Sequence, residues 1–247
     1  MSHPAALARF YDALAALGPP QRLGELELRK LPQRGVYFFF EDGEARGDSG
    51  AGPRVVRVGT HALTAGSRST LAQRLRQHRG SPSGGNHRGS IFRLLVGQAM
   101  LATAPSARCP SWGIKGQGRH AADALAVSRS QIAQWEGPIE MRVSEVLARM
   151  RVVVLGCDDE PGPASLRGYV ERNSIALLSA AHRDGIDYPS SHWLGRRSDR
   201  ALVLGSGLWN QRHTTEKAEP DFLDQFEGMV DFAEHVVMPT LRHSPPR

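Results

Sequence analysis

The sequence predicts a small α+β domain, in which a three-stranded antiparallel sheet is flanked by helices and extended by helical and irregular additions at both ends. Three short runs have the length and the β-branched or aromatic content of strands: "VYFFFE" at about 36–41, "RVVRVG" at 54–59 and "RVVVLG" at 151–156. A turn-rich segment, "EDGEARGDSGAGP", separates the first two runs and predicts an antiparallel hairpin with a long loop. The segments between strands carry apolar residues at helical spacing.

The helices follow in chain order. Residues 4–17 predict an amphipathic helix that ends at "GPP", and a second helix covers about 70–79 after a Gly/Ser loop. Ser90 is the expected N-cap of a third helix, "IFRLLVGQAML". A helix at about 139–150 precedes the last strand. The run "LRGYVERNSIALLSAAHRDG" predicts a strong helix, with Pro163 near its start and Gly185 beyond its end, and a final helix covers 221–235.

The organisation predicted from these elements has three parts. Residues 1–33 form an N-terminal helical extension, 34–182 form the core, and 183–247 form a C-terminal extension that packs on the core. Within the core, the segment at about 103–135 has no clear period and is predicted to be an irregular insertion.

The composition is that of a globular, soluble chain, with 40% hydrophobic and 23% charged residues. Its formal net charge of +6 comes mainly from arginine, whose planar fork of donors matches phosphate oxygens two at a time. A polyanionic partner and a simple compositional bias both explain this charge. Cys109 and Cys157 have no metal-binding spacing, and no apolar run at the N-terminus is long enough for a signal peptide or a membrane span. We therefore expect a cytoplasmic protein without a membrane partner.

Side-chain alternation on the first two strands brings polar residues together. Tyr37 points away from the face that Phe38 occupies, and Val56 and Val58 are expected to share a face that leaves Arg57 opposite. Tyr37 and Arg57 are therefore predicted to lie side by side. The alternative is a half-exposed tyrosine stacked on an arginine at the surface.

Three helical residues are candidates for chemistry. His78 continues the apolar stripe of its helix, and Arg74 lies one turn before it, so that their side chains can meet. Glu171 lies on an apolar ridge, and a carboxylate there must be paired with a cation, protonated or bound to a metal. The competing interpretations are a satisfied core histidine for His78 and an ion pair with an arginine for Glu171.

The order of these elements resembles the GIY-YIG nuclease family from about Arg34 to Ala181: "GVY" lies on the first strand, "RVG" ends the second, "LAQRLRQH" lies on the next helix, and a glutamate follows on a later helix. The resemblance implies that Tyr37 is the first family tyrosine and Arg74 the catalytic arginine. It also implies that His78 is the histidine found in part of the family, and that Glu171 binds the metal.

Two positions depart from the family pattern. The second tripeptide of the family begins with tyrosine, where this chain has Arg57. The late family asparagine is assigned to Asn210 in "SGLWNQRH", because Asn173 lies about 200° around the helix from Glu171 and points away from it.

The function that the resemblance implies is a divalent-metal-dependent endonuclease that hydrolyses phosphodiester bonds in DNA, with RNA not excluded. Mg²⁺ or Mn²⁺ would bind Glu171, Arg74 would hold the scissile phosphate, and Tyr37 or His78 would act on the attacking water. The alternatives are a catalytically inactive nucleic-acid-binding module and a relic of the fold that binds a small ligand or a protein.

Binding to the sugar-phosphate backbone would use several arginines. The candidates are Arg57, Arg68, Arg76, Arg79 and Arg88. Arg88 lies on a Gly/Ser/Asn loop, for which the alternative interpretation is a mobile connector without a binding role. If about six phosphates are contacted, affinity for duplex DNA falls with salt at a log–log slope of roughly −5.

Overall fold

The structure is a computed structural model that describes residues 1–104 and 108–237. Its centre is an antiparallel sheet in the order β1-β4-β2-β3, formed by β1 (Gln21–Arg22), β2 (Gly35–Ala45), β3 (Pro53–Gly59) and β4 (Arg151–Gly156). The three predicted strands are confirmed, and the two-residue β1 adds a fourth at the edge beside β4. No sequence signal marks β1, because a two-residue strand has no measurable period.

The pairing of β2 with β3 contains a β-bulge. Phe39 lies opposite Arg57 and Phe40 opposite Val55, so that Val56 is an extra residue in its strand. Val56 therefore faces one core and Val58 the other, and the prediction that these two valines share a face is wrong. Arg57 still faces the same side of the sheet as Tyr37, because the register between Val58 and Phe38 is kept.

Eight α-helices lie in the described part of the chain. They are α1 (His3–Ala16), α2 (Leu71–Arg79), α3 (Ile91–Thr103), α4 (Gly118–Leu125), α5 (Arg129–Arg149), α6 (Leu166–Arg183), α7 (Ala201–Ser206) and α8 (Phe222–Val237). The predicted N-cap at Ser90 is confirmed, since its hydroxyl accepts from the Arg93 N–H at 3.2 Å. Thr70 caps α2 with a reciprocal bond to Gln73.

The segment 103–135 is not irregular throughout, as the sequence had indicated. It contains α4 and the start of α5, which begins at Arg129 and continues through Pro138. A proline inside a helix removes one hydrogen bond and normally marks a helix start. Ion pairs from Glu136 to Arg88 and from Glu140 to Arg93 anchor α5 on both sides of Pro138. Residues 105–107 of this segment and 238–247 of the predicted C-terminal extension lie outside the described residues.

Both faces of the sheet are covered. Helices α1, α6 and α8 pack on the face that carries Phe38, where Phe10 and Phe226 stack with ring centroids 4.9 Å apart. Helices α2, α3 and α5 pack on the face that carries Tyr37 and Phe39. The two terminal helices thus contribute directly to the core of the sheet, while the predicted boundaries at 33/34 and 182/183 stay a prediction. Tyr37 and Arg57 lie on a covered face, so they are not the half-exposed surface pair of the alternative interpretation.

Candidate active site

The two glycines of the "GVY" and "RVG" tripeptides permit close approach. Gly59 pairs with Tyr37, and a Cβ added to Gly59 would lie 2.4 Å from the Tyr37 Oη. A Cβ on Gly35 would lie 2.5 Å from the carbonyl oxygen of Leu155 on β4. Side chains are excluded at both positions, and the Tyr37 ring packs directly over the backbone at the end of β3.

Behind this ring lies a buried hydrogen-bonded chain from β2 to α2 and α3. The Tyr37 Oη is 2.9 Å from His78 Nε2, and His78 Nδ1 is 2.8 Å from the Ser90 Oγ. Tyr37 and His78 are both 0% exposed, and Ser90 is 1% exposed. Burial, reinforced by the charges of nearby arginines, holds the pKa of His78 well below its usual range, so the imidazole is neutral. His78 is therefore a satisfied core histidine, and it is bonded to the predicted catalytic tyrosine.

Arg57 lies at the centre of the site and not at its surface. Its Nη1 donates to the Trp209 carbonyl oxygen, and its guanidinium carbon is 4.7 Å from the centre of the Phe92 ring. Burial lowers the pKa of Arg57, while the neighbouring Tyr37 and Glu171 raise it. Only 5% of this residue is exposed, so the prediction of a surface contact with nucleic acid does not fit its position.

Glu171 reaches the site from α6. Its Oε1 accepts from the Thr60 N–H at 3.1 Å, directly after the "RVG" tripeptide. Burial raises the pKa of Glu171, against the opposing charges of Arg57, His213 and Arg74. Within the part of the chain that the structure describes, Glu171 forms no ion pair, and Arg57 and Arg74 act on it only at longer range.

Arg74 lies on the outer side of the same cluster. It donates to the Gln77 Oε1 at 3.1 Å and to the Gly89 carbonyl oxygen at 3.2 Å, and it forms no ion pair with the described residues. The side chain lines an open groove of about 490 Å³ together with Arg76 and Gln77. The charge of Arg74 affects the pKa values of both His78 and Glu171, so these three residues share one electrostatic environment.

Asn210 is close to these residues but is fully engaged with the backbone. Its Oδ1 accepts from the Val58 N–H at 3.1 Å, and its Nδ2 donates to the Val58 carbonyl oxygen at 2.8 Å. The adjacent Trp209 N–H donates to the Val56 carbonyl oxygen at 2.7 Å. The segment around Asn210 thus pairs with the free edge of β3. Asn173, in contrast, bonds to the Tyr169 carbonyl oxygen and the Glu219 N–H, away from the site.

The other predicted nucleic-acid contacts divide into two groups. Arg76 lines the groove beside Arg74, and Arg68 is exposed on the loop that precedes α2. Arg79 is partly buried and donates to the Leu26 carbonyl oxygen at 3.5 Å. Arg88 is instead paired with Glu136, with bonds of 2.6 and 2.7 Å. The structure therefore leaves Arg68 and Arg76 exposed, and it commits Arg88 to an internal ion pair.

Several residues at the site were not predicted as part of it. Thr60 holds Glu171, and Arg93 donates to the His78 carbonyl oxygen at 3.0 Å from a fully buried position. His213 affects the pKa of Glu171 and is bonded through Nδ1 to Glu216 at 2.7 Å. The N-cap signature identified Ser90 only as a helix start. No local pattern marks the other three, because their contacts join segments that are distant in sequence.

Glu171 is the acidic side chain of this site that could hold a hydrated divalent ion. The described residues contain no cluster of three or more histidine, cysteine, aspartate or glutamate side chains that could hold a metal. Such a cluster is what a structural zinc site requires, whereas Mg²⁺ commonly uses one or two carboxylates and keeps several water ligands. The Glu171 carboxylate, with one backbone N–H on Oε1, is the group that would hold such an ion.

Together, the fold and the site define an α+β domain, in which a phenol, an imidazole, two guanidinium groups and a carboxylate from four elements are close enough for hydrogen bonds or charge interactions to connect them. A family model described as the GIY-YIG domain matches residues 1–236, and the chain belongs to this family. The match confirms the resemblance seen in the sequence and extends beyond the predicted core on both sides. Members of the family are typically nucleases, which supports a nuclease-like role here.

Neither a curated protein nor a solved structure matches the chain at a significant level. Among the described residues, no helix combines the length and the hydropathy needed to cross a bilayer.

Proposed function

We propose that this protein is a divalent-metal-dependent endonuclease that hydrolyses phosphodiester bonds in DNA. The observation that carries the proposal is the pairing of Tyr37 with Gly59 at the end of β3, with the Glu171 carboxylate bonded to the next N–H, that of Thr60, and the charges of Arg57 and Arg74 acting on it. These residues come from four elements that are far apart in sequence. Arg74 and Arg76 make the groove beside α2 basic, and a phosphate there would be held by the Arg74 guanidinium.

Arg74 is the residue that would bind the scissile phosphate. Its guanidinium is not neutralised by a carboxylate among the described residues, and its two acceptors are a side-chain amide and a backbone carbonyl. Negative charge builds on the phosphate oxygens in the transition state, and a fixed cation stabilises that charge more than it stabilises the ground state.

Tyr37, and not His78, would contact the attacking water. Both ring nitrogens of His78 are engaged, one by Tyr37 and the other by Ser90, and the imidazole is completely covered. His78 would therefore act through Tyr37 as a positioning residue. Tyr37 would orient that water through its hydroxyl oxygen. Tyr37 is itself covered, so this role requires the groups above its hydroxyl to separate when nucleic acid binds.

Glu171 would hold Mg²⁺ or Mn²⁺, which when bound acts as a Lewis acid toward the phosphate and the leaving oxygen. The Thr60 N–H fixes the position of one carboxylate oxygen, and Thr60 is in turn anchored by a 2.8 Å bond from its hydroxyl to the Gly35 carbonyl oxygen. The carboxylate is thereby oriented by the same glycine-containing strand ends that position Tyr37.

Cleavage of supercoiled plasmid in Mg²⁺ or Mn²⁺ tests the proposal. The wild type is expected to nick or linearise the plasmid, and Glu171→Gln and Arg74→Ala are expected to lose at least about a hundredfold in rate. The matched controls are Glu145→Gln and Arg142→Ala, which change exposed residues on α5 and should retain the wild-type rate. Equal activity in Glu171→Gln and wild type would refute the assignment. Replacing the plasmid by single-stranded RNA distinguishes DNA from RNA as the substrate.

A second candidate function is a catalytically inactive nucleic-acid-binding module. It is favoured by Arg57 at the position of the second family tyrosine and by the complete burial of Tyr37. Retained plasmid binding without cleavage by the wild type, in either metal, would support this function over the first.

A further inference from the structure

A buried chain of three side chains links the proposed active site to the start of α3. Starting from Tyr37, it passes through His78 and ends at Ser90, and the two oxygen–nitrogen distances are 2.9 and 2.8 Å. We propose that Ser90 is a positioning residue of this site: its hydroxyl fixes the tautomer of His78, and through it the orientation of the Tyr37 hydroxyl. The proposal rests on the proposed function of Tyr37.

The two distances fit either tautomer of His78, and we assign the one in which the Tyr37 hydroxyl donates. A buried phenol donates its hydrogen when an acceptor is in reach, and a neutral imidazole has one donor and one acceptor nitrogen. With the Tyr37 hydroxyl donating to Nε2, His78 must carry its hydrogen on Nδ1. That hydrogen is donated to the Ser90 Oγ, which has two acceptor lone pairs and uses the other for the Arg93 N–H at 3.2 Å.

The surroundings of the imidazole prevent it from turning over. Its ring packs edge-on against Phe92 and Phe39, with centroid distances of 5.7 and 6.2 Å. The backbone of His78 is held as well, because the fully buried Arg93 donates to its carbonyl oxygen. An exchange of Nδ1 and Nε2 by ring rotation would have to displace these groups.

The consequence for the site is the direction in which the phenol presents its oxygen. When the Tyr37 hydrogen points at Nε2, the lone pairs of Oη are left to accept a hydrogen bond from a water molecule. If the hydrogen sat on Nε2 instead, that nitrogen would donate to Oη and compete with the water. Ser90 would thus control the arrangement without touching the substrate.

Histidine-selective ¹⁵N NMR measures the tautomer directly, without relying on activity. The wild type is expected to show a protonated Nδ1 and a bare Nε2 for His78. Ser90→Ala and Ser90→Gly remove the hydroxyl, and in both the His78 signals should move toward a mixture of tautomers. Ser90→Thr retains the hydroxyl and should keep the wild-type pattern. A wild-type His78 protonated on Nε2, or an unchanged pattern in both hydroxyl-lacking variants, would overturn the proposal.

Cleavage kinetics provide the functional readout. In Ser90→Ala and Ser90→Gly, kcat is expected to fall about tenfold at unchanged KM, as when a partner that orients a functional imidazole is lost at metal sites. Ser90→Thr should recover the rate to within about twofold. Ser128→Ala is the control for the lost N-cap, since Ser128 caps α5 through the Gln131 N–H at 3.1 Å. A similar fall in Ser128→Ala would mean that the effect is structural, and it would overturn the positioning role.

The two proposals fail in distinguishable ways. Absence of cleavage by the wild type, with the expected tautomer, would refute the proposed function and leave only the hydrogen bond between Ser90 and His78. Normal cleavage with the opposite tautomer would refute the role of Ser90 alone.

Discussion

Replacing Gly59 by alanine tests the packing on which the site depends. The new Cβ would lie 2.4 Å from the Tyr37 Oη and 2.5 Å from two carbons of its ring. The ring cannot move freely, because Phe39 and His78 pack against it with centroid distances of 5.6 and 5.4 Å. Overpacking of this kind costs about 1–3 kcal/mol, and displacing the phenol from His78 adds about 1 kcal/mol for the lost hydrogen bond. We expect Gly59→Ala to lower the free energy of unfolding by about 3 kcal/mol.

Urea unfolding and thermal melting measure this effect. For a chain of 247 residues, a loss of about 3 kcal/mol lowers Tm by about 6–12 °C. Gly205→Ala is the control, because a Cβ there meets nothing within 4 Å and Gly205 lies in helix α7, where alanine is about 0.5–1 kcal/mol more favourable. If Gly59→Ala stayed within about 0.5 kcal/mol of the wild type, the close packing of Tyr37 on the end of β3 would be refuted.

Three further predictions follow from the charges in the structure. Arg93→Met leaves the buried Glu140 without its main cation and is expected to cost about 3–5 kcal/mol in urea unfolding; a smaller loss in the double variant with Glu140→Leu would show that the unpaired charge is the cause. Burial lowers the pKa of His61 to about 4, and because the unfolded chain takes up this proton first, stability should fall as the pH is lowered from about 6.5 to about 4. Chemical denaturation across this range should show a weaker pH dependence in His61→Gln, and an identical dependence would contradict the assignment. If Arg68, Arg74 and Arg76 hold about three phosphates, instead of the six assumed from the sequence, the log–log salt slope of DNA binding should be about −3. Arg76→Ala should reduce this slope by about one, and Arg88→Ala should leave it unchanged.

The elements that the sequence predicted well are those with local signals. The caps at Thr70 and Ser90 satisfy backbone N–H groups within their own helices, so a short motif is enough to identify them. The glycines at 35 and 59 are explained by close approach across the sheet. The bulge at Val56 could not be predicted in this way, because it depends on a comparison of two strands and leaves no mark on either one.

Contacts between segments that are distant in sequence explain why the predictions for α5 and Arg88 were wrong. On both sides of Pro138, helix α5 is held by ion pairs from Glu136 and Glu140 to residues 48 and 47 positions earlier. The sequence alone predicts Arg88 as a phosphate contact because its partner, Glu136, lies on that distant helix. An arginine in a sequence shows its charge and not its partner, so predictions of nucleic-acid contacts from composition alone include internal ion pairs.

The burial of the site residues is the property that the sequence predicted least well. Tyr37, Arg57, Arg74 and Glu171 were all identified from motifs, and their charges influence each other in the fold. Arg57, however, shares the face of Tyr37 because the register from Arg57 to Gly59 is regular, and its guanidinium is covered by Trp209 and Phe92. A second tyrosine at this position could not form the same charged hydrogen bond to the Trp209 carbonyl oxygen. The buried guanidinium thus supplies the site with positive charge from within the protein, where water and salt screen it least.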